Sequence, residues 1–398
     1  MITVSTFKNI QLQDFNKFLE ANPIPEWKEK IKADTINARY IAIHKLFTDE
    51  INAEKRSVSN ETIDAFLFEH LFYTYKNYQY VYRFDDFKFT AESSIDSVRD
   101  YLSERTELCY NRLLTEQANT DNFTLHTTRI EEKAGKLISL NFLMKIADIR
   151  TMRFPEVDVY VAIKVDLVNS MILLKFNLTQ LELLNSNATK ILIELKRILN
   201  GQTQAGHKFE PLNINLSSLN EKDAKKTIFK LFEELSLDAE DIINAHAPSE
   251  ADVKISKFLD QMGLSEIKSD YIQQIKAVIY QEISSALTIS DFKNGWVYRF
   301  TFREGLTTKA SSRTDDYSPI YNSKIYWHLK ELIFKEEEMQ EAGLHYTLPN
   351  PPDGSNYVLV RLESRSDCII INYYHRMRYN RKGKEEFVLQ KLNKHLPK

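Results

Sequence analysis

The chain has 398 residues, 43% hydrophobic and 27% charged, with a formal net charge of −3. Such a length and balance suit a folded protein with a real core, and they exclude a disordered chain or one coated evenly in nucleic acid. Only nine glycines and two cysteines occur, which leaves little for glycine-rich phosphate loops and nothing for a disulfide framework or a cysteine zinc site.

Residues 11–72 read as short helical pieces interrupted by Pro23 and Pro25, since proline cannot sit inside a helix. Nine aromatics follow between Phe72 and Phe89, and Tyr78, Tyr80, Tyr82 and Phe84 alternate as a strand would. Aromatic rows stack bases in some proteins and fill cores in more. Ile95, Val98, Leu102, Leu108, Cys109 and Leu113 predict a helix over Ala91–Glu116. The alternation in Val157–Ile163 and Met171–Phe176, around Asn169-Ser170, predicts a hairpin. Ile191, Leu192, Leu195, Ile198 and Leu199 mark a helix stopped at Asn200-Gly201, and a strand is expected at Phe209–Leu216. Further helices carry Ala224, Ile228, Leu231, Phe232 and Leu235, then Ile272, Ile275, Ile279 and Ile283.

The pattern is most regular from Asn294 onward. Trp296, Tyr298, Phe300 and Phe302 alternate with Val297, Arg299, Thr301 and Arg303 and are expected to face a core. Glu304-Gly305 turns the chain, and Ile325, Leu329, Leu332 and Ile333 mark a helix that Gly343 is read to end. Val358, Val360 and Leu362 alternate with Leu359, Arg361 and Glu363, and a last helix is expected near Glu385–Asn393. The fold class is therefore α+β: a helix-rich amino-terminal region (1–120), a mixed middle region (121–290) and a carboxy-terminal ββαββα module (291–398).

Catalytic signatures are scarce. No nucleophile elbow, Walker loop, dinucleotide fingerprint or zincin motif occurs, and the nine histidines are scattered. Ile191-Leu192-Ile193-Glu194-Leu195-Lys196 resembles the strand signature of the PD-(D/E)xK nucleases. That resemblance implies Mg²⁺ held by Glu194 and an upstream Asp158 or Asp166, with Lys196 beside the attacking water. The apolar spacing favours a helix instead, with Glu194 on its exposed face, so no catalytic residue and no cofactor is expected outside that alternative.

Charge is distributed unevenly. From Asn220 to Ala286 there are 13 acidic and 8 basic residues, whereas from Tyr357 to Lys398 there are 10 basic and 4 acidic. His375, Arg376, Arg378, Arg381, Lys382 and Lys384 lie beside Tyr373, Tyr374 and Tyr379, with Arg299, Arg303 and Arg361 on neighbouring strands. Cationic groups neutralise phosphate and tyrosine rings stack on bases. The expected function is a cytoplasmic, nucleic-acid-binding, non-enzymatic subunit of a bacterial or mobile-element system, such as phage defence, working with other proteins. An assembly subunit without nucleic acid is the remaining alternative. No apolar run approaches the roughly 18 residues of a membrane span, and Met1–Ile10 lacks the apolar stretch of a signal peptide.

Overall fold

Helix starts follow capping residues visible in the sequence. In the computed structural model, which describes residues 2–117, 121–152, 154–185, 187–200, 214–217, 219–247, 250–264, 268–305, 308–349 and 357–397, Thr3, Thr35, Ser59, Asn177 and Asn220 each accept a backbone N–H from the first turn. Each such cap satisfies a donor that the helix leaves orphaned, worth about 1 kcal/mol. The described residues hold thirteen α-helices and eleven strands, an α+β protein. No described helix is long and apolar enough to cross a membrane.

Two units divide the chain, Met1–Ser218 and Leu219–Lys398. The first contains strands β1 (Tyr78–Asp86), β2 (Thr124–Lys133), β3 (Lys136–Ile149), β4 (Val157–Asp166), β5 (Met171–Phe176) and β6 (Asn215–Ser217). They pair antiparallel in the order β2–β3–β4–β5–β1–β6. Phe7, Phe15, Phe47, Leu67 and Phe72, from the amino-terminal helices, pack with Leu143, Tyr160 and Ala162 of the sheet. Neither layer buries its apolar side without the other, which is why the division falls after the sheet and not at residue 120.

The second unit contains β7 (Gly295–Glu304), β8 (Thr308–Arg313), β9 (Glu341–Thr347), β10 (Tyr357–Ser364) and β11 (Ile369–Tyr373), in the antiparallel order β8–β7–β9–β10–β11. Helix Glu221–His246 packs against β7, β9 and β10. Its Phe232 meets Phe300 and Tyr326 edge-on or tilted. That helix belongs with the carboxy-terminal strands, so no division falls at residue 290.

Four local expectations change. The helix expected over Ala91–Glu116 runs only from Ile95 to Ser103. Cys109 and Asn111 adopt left-handed backbone conformations, and the chain there exchanges hydrogen bonds with Thr128 of β2, so sheet pairing displaces helix. Three strands, not two, follow the helix Lys324–Glu336, because Glu337 ends that helix in a left-handed conformation and Gly343 lies inside β9. Of the strand expected at Phe209–Leu216, residues 209–213 lie outside the described residues, and β6 begins at Asn215. The register of β7 is broken by a bulge between Val297 and Arg299, which decides the faces described next.

Candidate nucleic-acid interface

Strand pairing in the second unit places five residues in one cross-strand row. Arg313 of β8 pairs with Arg299 of β7, Arg299 with Gly343 of β9, Gly343 with Arg361 of β10, and Arg361 with Asn372 of β11. Adjacent strands lie about 4.8 Å apart, so the three arginines span roughly 15 Å of one sheet face. Arg303 and Lys309 form a further pair on the same two strands. Both are exposed, as is Arg313. The opposite face carries Phe300, Ala342, Val360 and Ile371 and is covered by helices.

The bulge brings aromatics onto the arginine face. Phe300 and Phe302 turn to the helices as expected, but Trp296 and Tyr298 do not. Trp296 pairs in register with His345, and its ring lies parallel to the imidazole, 3.7 Å between centroids and 10° between planes. Tyr357 continues the stack at 4.8 Å and 13° from His345. Trp296 is fixed further by its indole N–H, which donates to the Tyr317 carbonyl at 2.7 Å. Burial holds His345 down to about 4, so the middle ring of the stack is neutral at neutral pH.

Gly343 explains how Tyr298 fits. A Cβ at position 343 would stand 2.5 Å from the Tyr298 ring, well inside contact distance. Without one, the ring crosses the strand and its hydroxyl donates to the Val360 carbonyl at 3.0 Å. Tyr317 and Tyr374 pack edge-on against it, at 5.2 and 6.2 Å, and against each other at 4.8 Å. Tyr298, Tyr317 and Tyr374 thus form a cluster next to Arg361, whose charge reaches the Tyr298 hydroxyl.

The face is not uniformly positive. Arg299 is ion-paired with Glu341, and Glu363 is held by Arg365 at 2.8 Å. Arg313 and Arg361 have no carboxylate within 4.0 Å among the described residues. Among the described residues they are the two cations in the row that an anionic ligand meets without displacing a carboxylate.

The carboxy-terminal basic segment divides between surface and interior. Tyr373, Arg381 and Lys384 are buried, a correction to the expectation that the whole segment forms one surface. The Arg381 guanidinium lies 4.4 Å from the centroid of the Tyr373 ring, and burial lowers it to about 10. Lys384 donates to the Tyr379 carbonyl at 2.7 Å. These three residues sit where β11 meets the helix Arg381–His395, because alternation along β11 turns Tyr373 to the helix side. Arg378 and Tyr379 stay outside, the guanidinium donating to the hydroxyl at 2.6 Å, and Lys382 is half-buried. The side chains of His375 and Arg376 lie outside the described residues.

The nuclease alternative loses its geometry. Glu194 and Lys196 lie on the helix Asn187–Leu199 rather than a strand; Glu194 is half-buried 3.8 Å from Arg197, not fully exposed as expected, and Lys196 lies over the Tyr82 ring at 4.6 Å. Asp158 is buried among Thr3, Thr6 and Lys145, and Asp166 caps the turn at Asn169. Among the described residues no group of three His, Cys, Asp or Glu is arranged to hold a metal ion.

Of the residues on or beside this face, the sequence reading names Arg299, Arg303, Arg361 and Tyr374 and does not name Arg313, His345, Tyr357 or Tyr317. For Arg313 the signal was present: a tight turn after Glu304 pairs Glu304 with Thr308, and counting back sets Arg313 opposite Arg299. His345 is not singled out because the sequence reading ends a helix at Gly343 and assigns no strand to Glu341–Thr347, although Ala342, Leu344 and Tyr346 alternate there. Comparison with family models, with curated proteins and with solved structures gives no match.

Proposed function

We propose that this chain binds nucleic acid across the arginine-bearing face of the sheet in its second unit. The observation that carries the reading is the register row Arg313–Arg299–Gly343–Arg361–Asn372 beside the Tyr298, Tyr317 and Tyr374 cluster. Arginine stays charged at any physiological pH and presents a planar fork of donors that matches phosphate oxygens. Three such groups along one row, with Arg378 and Lys382 at the far end of β11, suit a polyanion better than a single small anion. Contacts to phosphate carry no sequence information, so binding is expected to be general rather than base-specific. The reading is of a binding protein.

The test is a gel-shift titration of wild type and an Arg313→Ala/Arg361→Ala double variant at low and high salt. These two positions are chosen because neither has a carboxylate within 4.0 Å among the described residues, whereas loss of Arg299 strands Glu341. The variant should bind every sequence more weakly by a similar factor, and its salt slope should flatten by about 1–2 units. No binding by wild type at low salt, or identical curves for both proteins, refutes the reading and leaves the face to a protein partner.

A further inference from the structure

Resting on that reading, we infer that the outer face of the Tyr357 ring seats an unpaired nucleobase, which continues the stack of Trp296, His345 and Tyr357 and makes the site one for single strands. Three rings from three strands lie nearly parallel, with successive planes 10° and 13° apart. One side of this stack is closed, since Trp296 is 6% exposed and tied by its indole N–H. Among the described residues the other side ends at Tyr357, which remains 37% exposed although it opens a core strand. A tyrosine backed by two fixed rings is rigid, so a base laid on it loses little freedom to the protein, and aromatic stacking accepts any base because each has a π face.

The spacing to the cations fits a strand running along β10. Tyr357 and Arg361 are four residues apart on one strand and share a face, about 13 Å at 3.3 Å per residue. A chain whose base rests on Tyr357 therefore carries a later phosphate over Arg361, where the row that also holds Arg299 and Arg313 crosses β10. A base inside a duplex is already stacked on both sides and would have to leave its pair to reach this shelf, so duplex gains only the phosphate contacts. Bases and phosphates are common to DNA and RNA, so single strands of both share the chemistry recognised here.

The experiment measures fluorescence anisotropy with strands of about 16 nucleotides: DNA, RNA, an abasic DNA strand of equal length and a blunt duplex. Wild type should bind base-containing single strands about 5- to 100-fold more tightly than the abasic strand. Tyr357→Leu should lower them to the abasic level and leave abasic binding unchanged, while Tyr357→Trp keeps the preference and shows that the site still folds. Equal wild-type binding to base-containing and abasic strands, or a Tyr357→Leu protein that binds like wild type, overturns the shelf and leaves the phosphate-binding reading standing. Failure of wild type to bind any strand overturns both. Loss of RNA binding alone, with DNA retained, would also refute a site that reads only the shared chemistry.

Discussion

Lys76 offers the sharpest test of the first unit. It follows a five-residue π-helix, His70–Thr74, is 3% exposed and donates to the Tyr160 carbonyl. Burial drives its ammonium down to about 7, and the nearby positive charge of Lys175 pushes in the same direction. The unfolded chain should titrate near 10.4. Between these values the unfolded state binds the proton and the folded state does not, so stability rises with pH. The slope approaches 1.36 kcal/mol per pH unit where only the unfolded lysine is charged. Integrated from about pH 7.5 to about pH 9, one such lysine contributes about 2 kcal/mol of added stability. Lys76→Met removes the titration and leaves a pH-independent offset from the lost hydrogen bond. Urea unfolding of both proteins across this range should show the variant's midpoint rising less with pH, by about that amount. Parallel profiles would mean that Lys76 stays charged in the folded protein, and the argument from burial would fail.

Two other outcomes follow from packing and charge. Phe300 is fully buried against Phe232 and Tyr326, so Phe300→Ala should cost about 3–5 kcal/mol, whereas Arg299→Ala, which breaks a half-exposed ion pair with Glu341, should cost about 1 kcal/mol; equal shifts in melting temperature would show that the side of Phe300 is misassigned. Burial alone would raise the Asp158 carboxyl, but hydrogen bonds from Thr6 and Thr3 and the Lys145 ammonium outweigh it and hold the group below its usual range. Its contribution is then present above the unfolded value near 3.9 and lost as pH falls through the lower folded value. Asp158→Asn should destabilise by about 3 kcal/mol at neutral pH and soften the acid transition, and an unchanged acid midpoint in urea titrations would count against this account.

Periodicity and turns were legible in the sequence because both are local. Asn169-Ser170 turns the β4–β5 hairpin and the alternation around Val360 is a strand, both from neighbours within a few residues. Which face a residue occupies was not local. One bulged residue in β7 moved Trp296 and Tyr298 to the arginine side while Phe300 kept its place, and only pairing with β9 reveals the extra residue. The same holds for charge. Lys145, Lys164 and Lys175 look like solvent-facing strand positions, yet register sets them on the face of Leu143, Tyr160 and Ala162 beneath the amino-terminal helices. They are buried there because partners distant in sequence compensate them: Asp158 for Lys145, Glu131 for Lys164, and the rings of Phe72 and Tyr73 for Lys175. Arg381 and Lys384 are buried as well, the first over the Tyr373 ring and the second on the Tyr379 carbonyl. A sequence displays the charge, but whether that charge faces water depends on which strands and helices meet around it, and a pairing shift of one residue reverses the answer.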